Sequence, residues 1–217
     1  MILEYCNYDI SSNEQEIKEN IEISIKYFPK SIIVLPYYLK CLKKYMPETI
    51  QLGCTIDYPF GISSQPARIN ELNEIKSGNP DIINVVAPMH LLCNRKYDKF
   101  RAEIDTFLDI LSDSNIKLRY ILEYKICSLN LLYKIVDILL KKNINVIYPS
   151  SGYLLDNISD NLLACFLINK KYPNMHIISN GGAWNEKQID TVLNSKNHGF
   201  QTNNIYTLEK IYQKTHY

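Results

Sequence analysis

The fold of this chain is decided by the segment Val146-Ile147-Tyr148-Pro149-Ser150-Ser151-Gly152-Tyr153. Its first three residues have high β propensity, and the Pro-Ser-Ser-Gly run that follows consists of turn formers. The segment therefore predicts a short buried strand that ends in a tight turn. Seven other segments have the same form, each an apolar or β-branched run bounded by polar or turn residues.

Eight strands are predicted in all, and an amphipathic helical segment follows each of them. The strands are Ile2–Cys6, Ser31–Leu35, Ile50–Asp57, Ile82–Ala87, Lys117–Glu123, Asn145–Ser150, His176–Ser179 and Gly199–Thr202. The helices are Asn13–Tyr27, Tyr37–Tyr45, Pro66–Lys76, Lys99–Leu111, Leu129–Lys142, Asp160–Lys171, Glu186–Asn194 and Leu208–Lys214. Eight repeats of roughly 25–30 residues predict an α/β fold of the (β/α)8 TIM-barrel type. An open doubly wound sheet is the alternative, because its strands are also buried on both faces.

Length and composition favour one domain and argue against a polyanionic partner. A chain of 217 residues with 46% hydrophobic content can bury a full core. No low-complexity tract or Pro/Gly-rich linker interrupts it, so a single domain over residues 1–217 is expected. The 24 Lys and Arg residues nearly balance the 23 Asp and Glu residues. A nucleic-acid partner is therefore not expected.

The cysteines and the hydropathy pattern indicate the compartment. The six cysteines are scattered without a Cys-x-x-Cys pair, and most lie in apolar runs. This pattern suits a reduced cytosol and does not suit a zinc site. The amino terminus lacks a basic segment followed by an apolar one, and no apolar stretch approaches the ~20 residues of a membrane span. We expect a cytoplasmic protein with no membrane partner, no metal and no cofactor.

Polar residues at the carboxyl ends of barrel strands are the first candidates for function. Asp57 opens the group Asp57-Tyr58-Pro59-Phe60-Gly61 after the third predicted strand, although Pro and Gly also make this group a simple turn. Glu123 and Lys125 close the fifth predicted strand two residues apart, so both side chains should point to one side. An ion pair at the barrel rim is the structural alternative for these two.

Two later loops have the composition of an anion site. Gly181 and Gly182 follow the seventh strand, where backbone N–H groups and a helix N-terminus can approach a phosphate. Asn203 and Asn204 follow the eighth strand, and the loops after strands seven and eight commonly bind phosphate in barrel enzymes. Two tight turns with Asn in the left-handed conformation are the alternative.

Four segments of the chain match family motifs in the same order. They are Leu35-Pro36-Tyr37-Tyr38, Tyr58-Pro59-Phe60-Gly61 with Arg68 and Glu71, Ser150-Ser151-Gly152-Tyr153, and Asn180-Gly181-Gly182. With these segments the chain resembles the deoxyribose-phosphate aldolase family, whose corresponding motifs are Asn-Pro before an aromatic, Phe-Pro-x-Gly followed by Lys and Glu, Ser-Thr-Gly-Phe and Ser-Gly-Gly. The family's barrels join or cleave a phosphosugar through a lysine imine.

The departures from this family fall on its chemistry. By this resemblance, the imine-forming lysine aligns with Tyr148, the second lysine that lowers its pKa aligns with Ile178, and the proton-relaying aspartate aligns with Asn84. The family's Asp-His-Thr is replaced by Glu4-Tyr5-Cys6, in which Glu4 keeps a carboxylate. Since an imine requires a primary amine, the family's mechanism is not expected to operate here.

Three hypotheses follow. In the first, chemistry has moved to other groups: Lys125 supplies an amine, or Tyr148, Glu123 or His90 acts as acid or base. Glu123 would keep Lys125 protonated, which weakens it as a nucleophile. Tyr148, with an ordinary pKa near ~10, fits an enolisation or elimination better than cleavage through an imine. His90 follows a predicted strand end, where a lone histidine is more often a surface residue.

In the second hypothesis the chain is a pseudoenzyme that keeps the pocket and binds a ligand or a protein partner, and in the third the active residues are misaligned. The ionisable groups at strand ends favour the first, a carbon–carbon lyase or an enolising enzyme for a small phosphorylated or carbonyl substrate. Its predicted catalytic residues are Tyr148, Lys125 and Glu123. Seventeen tyrosines leave a homo-oligomer open. The predicted substrate contacts are Glu4, Asp57, Asn84, His90, Ser150, Gly181, Gly182, Asn203 and Asn204.

Overall fold

A computed structural model describes residues 1–154 and 156–216. Eight parallel strands pair in chain order and close into a barrel. The strands are β1 (Ile2–Asn7), β2 (Ser31–Val34), β3 (Gln51–Ile56), β4 (Ile82–Val86), β5 (Lys117–Ile121), β6 (Val146–Tyr148), β7 (His176–Asn180) and β8 (Gly199–Thr202). The helices are α1 (Glu14–Ile25), α2 (Pro36–Lys43), α3 (Gln65–Ser77), α4 (Met89–Cys93), α5 (Tyr97–Leu111), α6 (Leu129–Lys141), α7 (Ile158–Lys171), α8 (Glu186–Asn194) and α9 (Ile205–His216).

The closed barrel confirms the predicted (β/α)8 fold and excludes the open sheet. The β1 strand pairs with β2 on one side and with β8 on the other, through Glu4 with Ser31 and Glu4 with Gln201. An open sheet would leave β1 or β8 unpaired at an edge, so this pairing distinguishes the two architectures.

Several element ends differ by a few residues from the predicted ones, and two differences bear on the site. The fifth strand ends at Ile121, two residues before the predicted end at Glu123, because a short 3-10 helix over Tyr124–Ile126 follows it. A short helix, α4, follows β4 and was not predicted. Five residues are too few to show a helical period in the sequence, so this element had no detectable signal.

Alternate strand residues pack in two different places. Tyr5, Ile32 and Tyr120 point outward and pack with the surrounding helices in the main core. Residues at the alternate strand positions point inward, and there Cys6 packs with Ile33 and Ile82. This alternation follows from the strand period of two, and it places functional candidates on the inward set.

Local sequence signals set several helix starts. Asn13 caps α1 in a capping box with Glu16, and Asn185 caps α8 in the same way with Gln188. Each side chain accepts a hydrogen bond from an N–H group that the first helical turn leaves without a partner. Across the described residues, no helix combines the length and the apolar character that crossing a membrane requires.

Candidate functional site

Tyr148, at the end of β6, points into the barrel and is 1% exposed. Its hydroxyl donates to Glu4 Oε2 at 2.6 Å and accepts from Arg119 Nη1 at 2.9 Å. The same Arg119 nitrogen lies 2.7 Å from Glu4 Oε1, and Ser31 Oγ donates to that oxygen at 2.5 Å. We call Glu4, Ser31, Arg119 and Tyr148 the interior cluster. It fills the barrel at the position where the resemblance places an imine lysine.

The environment of the interior cluster makes Tyr148 a poor proton donor. Burial raises the pKa of Tyr148 well above its ordinary value, and the neighbouring Glu4 carboxylate raises it further against the opposing effect of Arg119. Burial alone would lower the pKa of Arg119, but the Tyr148 and Glu4 oxygens beside it produce a net rise. Tyr148 is therefore neutral and donates a hydrogen bond to Glu4 beside the Glu4–Arg119 ion pair. Its pKa is too high for it to act as an acid at neutral pH.

Two tyrosines separate Tyr148 from the mouth of the barrel. The rings of Tyr8 and Tyr58 lie with their centroids 4.4 Å apart. Tyr58 packs against the buried cluster of Val86, Ile121, Tyr148 and Ile178, and its hydroxyl donates to the Ser151 carbonyl at 2.9 Å. Both rings line the mouth cavity, and Tyr148 is not among its described lining residues. The pair therefore forms a tyrosine floor above the interior cluster.

The mouth cavity has a volume of about 560 Å³, which is ample for a small molecule. It lies at the carboxyl ends of β1, β6, β7 and β8, where barrel enzymes carry their active sites. Its lining is mostly amide, hydroxyl and aromatic in character. The lining residues are Tyr5, Cys6, Asn7, Tyr8, Asp9, Asn20, Tyr58, Ser151, Gly152, Asp156, Asn180, Gly181, Gly182, Trp184, Gln201, Thr202 and Asn203.

The charges at this cavity are negative. Asp9 and Asp156 are the charged residues of the described lining, which contains neither lysine nor arginine. A Cβ atom placed on Gly181 would lie 3.8 Å from Asp156 Oδ2, so the carboxylate stands beside the predicted anion loop. This geometry weighs against a phosphate at the Gly181-Gly182 loop.

Lys125 lies beside Asp156 and not on a strand. The prediction that Lys125 and Glu123 share one side of a strand is wrong, because β5 ends at Ile121 and Lys125 belongs to the 3-10 helix. Lys125 Nζ is 3.8 Å from Asp156 Oδ1. The Tyr124 hydroxyl donates to the same carboxylate, and Asn161 Nδ2 donates to it at 2.6 Å. These contacts hold Asp156 in place.

Glu123 is a buried carboxyl group directly behind the cavity residue Ser151. It is 8% exposed, and its Oε2 atom accepts from Ser151 Oγ at 2.6 Å. Its Oε1 atom is buried without a hydrogen-bond partner among the described residues. Burial raises the pKa of Glu123 and outweighs the opposing effect of the Ser151 hydrogen bonds. A buried carboxyl with a raised pKa next to a cavity residue is a candidate acid or base.

Two deoxyribose-phosphate aldolases are similar in sequence to this chain. A deoxyribose-phosphate aldolase of Caldicellulosiruptor saccharolyticus is 27% identical over 101 residues, which cover 46% of this chain and 46% of that protein. One of Metamycoplasma hominis is 23% identical over 152 residues, covering 70% of this chain and 69% of that protein. The resemblance to deoxyribose-phosphate aldolases is confirmed. The chain matches about half the length of the first relative, and no family model matches it.

Solved structures share the barrel fold of this chain over nearly its whole length. A structure described as "QR15, an Aldolase" superposes with a TM-score of 0.84 at 16% identity, covering 100% of this chain and 95% of that one. The deoxyribose phosphate aldolase of Aeropyrum pernix, described as having a unique tetrameric structure, superposes with a TM-score of 0.82 at 12% identity. That match covers 98% of this chain and 90% of the Aeropyrum chain. At these identities the superpositions establish the fold.

Four predicted contacts lie away from the cavity of this aldolase-like barrel, and one of them, Glu4, belongs to the interior cluster. Asp57 has a left-handed backbone with φ of 55° and binds Arg68 Nη1 through Oδ2 at 2.6 Å. Asn84 is fully buried inside the barrel, and neither of its amide atoms has a partner among the described residues. His90 is exposed on α4. Asp57 thus serves an internal ion pair, and His90 faces solvent.

The remaining predicted contacts lie in the loops that surround the mouth. Gly181, Gly182 and Asn203 line the cavity directly. Ser150 supports the wall, since its Oγ atom accepts from the Gly152 N–H group at 2.9 Å. Asn204 accepts from the Thr207 N–H group at the start of α9, so its side chain serves as a helix cap.

Sequence reasoning missed several residues that form the cavity. Asp156, Trp184 and Gln201 were not singled out, although each lines it. The strand pattern could have identified Gln201. It lies on β8, and the alternation of side chains along the strand directs it inward. Asp156 and Trp184 lie in loops outside regular elements, where no periodicity indicates the direction of a side chain.

Proposed function

We propose that this aldolase-like barrel is an enzyme that binds a small phosphorylated or carbonyl compound in the mouth cavity and transfers a proton through Glu123. The observation that carries this proposal is the buried Glu123 carboxyl, whose pKa is raised and whose Oε2 atom is bonded to the cavity residue Ser151. Enolisation is the reaction class that such a group serves. The ionised carboxylate takes a proton from the carbon next to a carbonyl, and the C–H electron pair moves into the enolate.

Of the three predicted catalytic residues, the proposal keeps Glu123. Tyr148 lies beneath the tyrosine floor, hydrogen-bonded to Glu4 and Arg119. Lys125 Nζ lies 3.8 Å from Asp156 Oδ1. An imine at the cavity would require a neutral amine there, whereas Lys125 is engaged by that carboxylate.

Reductive trapping tests the absence of imine chemistry. We expect acetaldehyde or 2-deoxyribose 5-phosphate with borohydride to leave no site-specific adduct on the folded protein, because an imine requires an unprotonated amine at the cavity. Peptide mass spectrometry would locate any adduct. Urea-unfolded protein is the control for nonspecific labelling of lysines. An adduct concentrated on Lys125 of the folded protein, and lost in Lys125→Arg, would contradict the proposal.

Solvent exchange tests the role of Glu123. In D2O, proton NMR should show loss of the signal of the proton next to the carbonyl of a bound substrate, because Glu123 returns a deuteron to the enolate. Glu123→Gln should slow this exchange by at least ~100-fold, the lower range for loss of a general base. The rate should rise with pH as Glu123 ionises, with an apparent pKa above the ordinary 4.5, because burial raises the pKa of this group.

The control for this experiment is Glu48→Gln, which makes the same chemical change at an exposed carboxyl in the loop before β3. Its exchange rate should equal that of the unchanged protein. Equal rates for Glu123→Gln and Glu48→Gln would remove Glu123 from the mechanism.

Ligand binding without turnover is the second candidate function. Three replacements support it, since Tyr148, Ile178 and Asn84 stand where the resemblance places the nucleophile, its activator and the proton relay. Replacing three groups is harder to reconcile with retained catalysis than moving one. Saturable binding of a compound whose protons do not exchange in D2O would favour this candidate over the enzyme.

The compartment and the assembly remain proposals as well. We infer a reducing cytoplasmic location from the six cysteines, all of which are free thiols. The description of the Aeropyrum pernix protein as a tetramer supports proposing a homo-oligomer for this chain. Sedimentation velocity at several protein concentrations would test the assembly.

A further inference from the structure

The geometry of the mouth cavity points to an uncharged polyhydroxyl carbonyl compound, a sugar without its phosphate, as the ligand. This inference deepens the proposed function, because it names the chemical class of ligand for the same cavity. It departs from the phosphorylated substrate that the family resemblance implies, and three independent properties of the lining carry it.

The first property is charge. The two charged residues of the described lining, Asp9 and Asp156, are both carboxylates, and Asp156 stands beside Gly181 in the loop that would hold a phosphate. Lys125 Nζ lies 3.8 Å from Asp156 Oδ1 and offsets part of one of these charges, but Lys125 is not among the described lining residues. A phosphate ester brings up to two further negative charges into a space whose described lining holds no cation. A neutral sugar brings none, so the same lining accepts it without charge repulsion.

The second property is a neutral hydrogen-bond donor that lacks a partner. Gln201 lines the cavity and is 4% exposed, and its Nε2 atom has no hydrogen-bond partner among the described residues. Buried polar groups are normally hydrogen-bonded, so this donor in a cavity residue indicates a ligand with acceptor oxygens. Hydroxyl and carbonyl oxygens meet this requirement.

The third property is an aromatic surface at the rim. Trp184 lines the cavity and is 60% exposed. Its ring packs directly on Gly182, since a Cβ atom there would lie 2.0 Å from Trp184 Nε1. An indole supplies a broad apolar face with a negative quadrupole, which suits the weakly positive C–H groups of a sugar. The side-chain amides of Asn7, Asn20 and Asn203 surround the same space with further donors and acceptors for hydroxyl groups.

A titration of matched pairs tests the inference. Trp184 is the sole tryptophan of the chain, so its fluorescence reports on the cavity, and saturation-transfer NMR on the sugar protons provides a second readout. The probes are 2-deoxyribose, ribose and their 5-phosphates. We expect the free sugars to bind saturably and each 5-phosphate to bind at least ~10-fold more weakly, as repulsion by a nearby like charge requires. Equal or tighter binding of the 5-phosphates, or no binding of either free sugar, would overturn the inference.

Charge-removing variants test the cause. Asp156→Asn should reduce the ratio of the affinities for the free sugar and its 5-phosphate. Asp9→Asn should reduce the same ratio, and it provides the test if Asp156→Asn does not fold. Asp190→Asn, at an exposed aspartate of α8 paired with Lys214, is the matched control and should keep the original ratio. Gln201→Leu should weaken sugar binding by at least ~5-fold, because it removes a hydrogen-bond donor of the cavity. An unchanged ratio in both folded cavity variants would contradict the electrostatic basis.

This experiment separates the ligand class from the proposed reaction. Glu123→Gln should retain the preference for the free sugar while losing solvent exchange. If native protein binds the free sugars with this preference and shows no exchange, the proposed reaction fails and the ligand class stands. If exchange occurs on a 5-phosphate that binds more tightly than its free sugar, the ligand class fails and the proposed reaction stands.

Discussion

Arg119→Met is expected to lower the free energy of unfolding by about 3–5 kcal/mol, the typical loss when one partner of a buried ion pair is removed. Arg119 Nη1 lies 2.7 Å from Glu4 Oε1, and Glu4 is fully buried inside the barrel. Methionine fills part of the space but leaves the Glu4 carboxylate without a cation. Urea unfolding followed by circular dichroism would measure the loss.

Two controls give this prediction its meaning. Lys141→Met removes the exposed partner of Asp137 on α6 and should cost at most about 0.5 kcal/mol, since surface pairs of this kind contribute little. Glu4→Gln combined with Arg119→Met should recover part of the loss, because the uncompensated charge is gone. A loss below about 1 kcal/mol for Arg119→Met alone would contradict the buried pairing.

Arg68→Met should have a similarly large effect, again about 3–5 kcal/mol. The guanidinium of Arg68 is almost fully buried on α3 and lies 2.6 Å from Asp57 Oδ2 and 3.0 Å from Glu103 Oε1. It also donates to the Val86 carbonyl at 2.9 Å. Its removal leaves two carboxylates near each other and a carbonyl without its donor, all in a buried region.

The matched control for Arg68 is Arg101→Met on α5. Arg101 pairs with the fully exposed side chain of Asp98, so its loss should cost at most about 0.5 kcal/mol in the same urea experiment. Glu103→Gln in the Arg68→Met background should recover stability by removing one of the two uncompensated charges. Equal stabilities of the Arg68→Met and Arg101→Met proteins would show that the buried network is not formed in solution.

The two buried networks contain several of the charges that were first assigned to function. Glu4 and Asp57 were predicted as substrate contacts, and both are engaged by a buried arginine. A carboxylate held in this way is not available to a ligand without breaking its ion pair. The candidates for function are therefore Glu123 and the uncharged polar residues that line the mouth cavity.

The resemblance and the observed site agree on the frame and differ in detail. The Gly181-Gly182 loop and Asn203 reach the cavity, as the order of the strands predicted. The prediction that Glu123 and Lys125 point to one side of a strand failed because β5 ends at Ile121 and Lys125 belongs to a 3-10 helix. Asp156 was missed because its side chain direction depends on contacts with Tyr124 and Asn161, which lie in other parts of the chain.

The sequence by itself determined the eight alternating strands and helices, the burial of the strands and the tyrosine at position 148, because β propensity, periodicity and capping act over neighbouring residues. Only the tertiary structure decided what that tyrosine does. Closure of the barrel brings Glu4 to Tyr148 across 144 residues of chain and to Arg119 across 115. The register of the parallel strands then selects which polar groups meet inside and which line the mouth, since a shift of one residue would exchange the two faces of a strand.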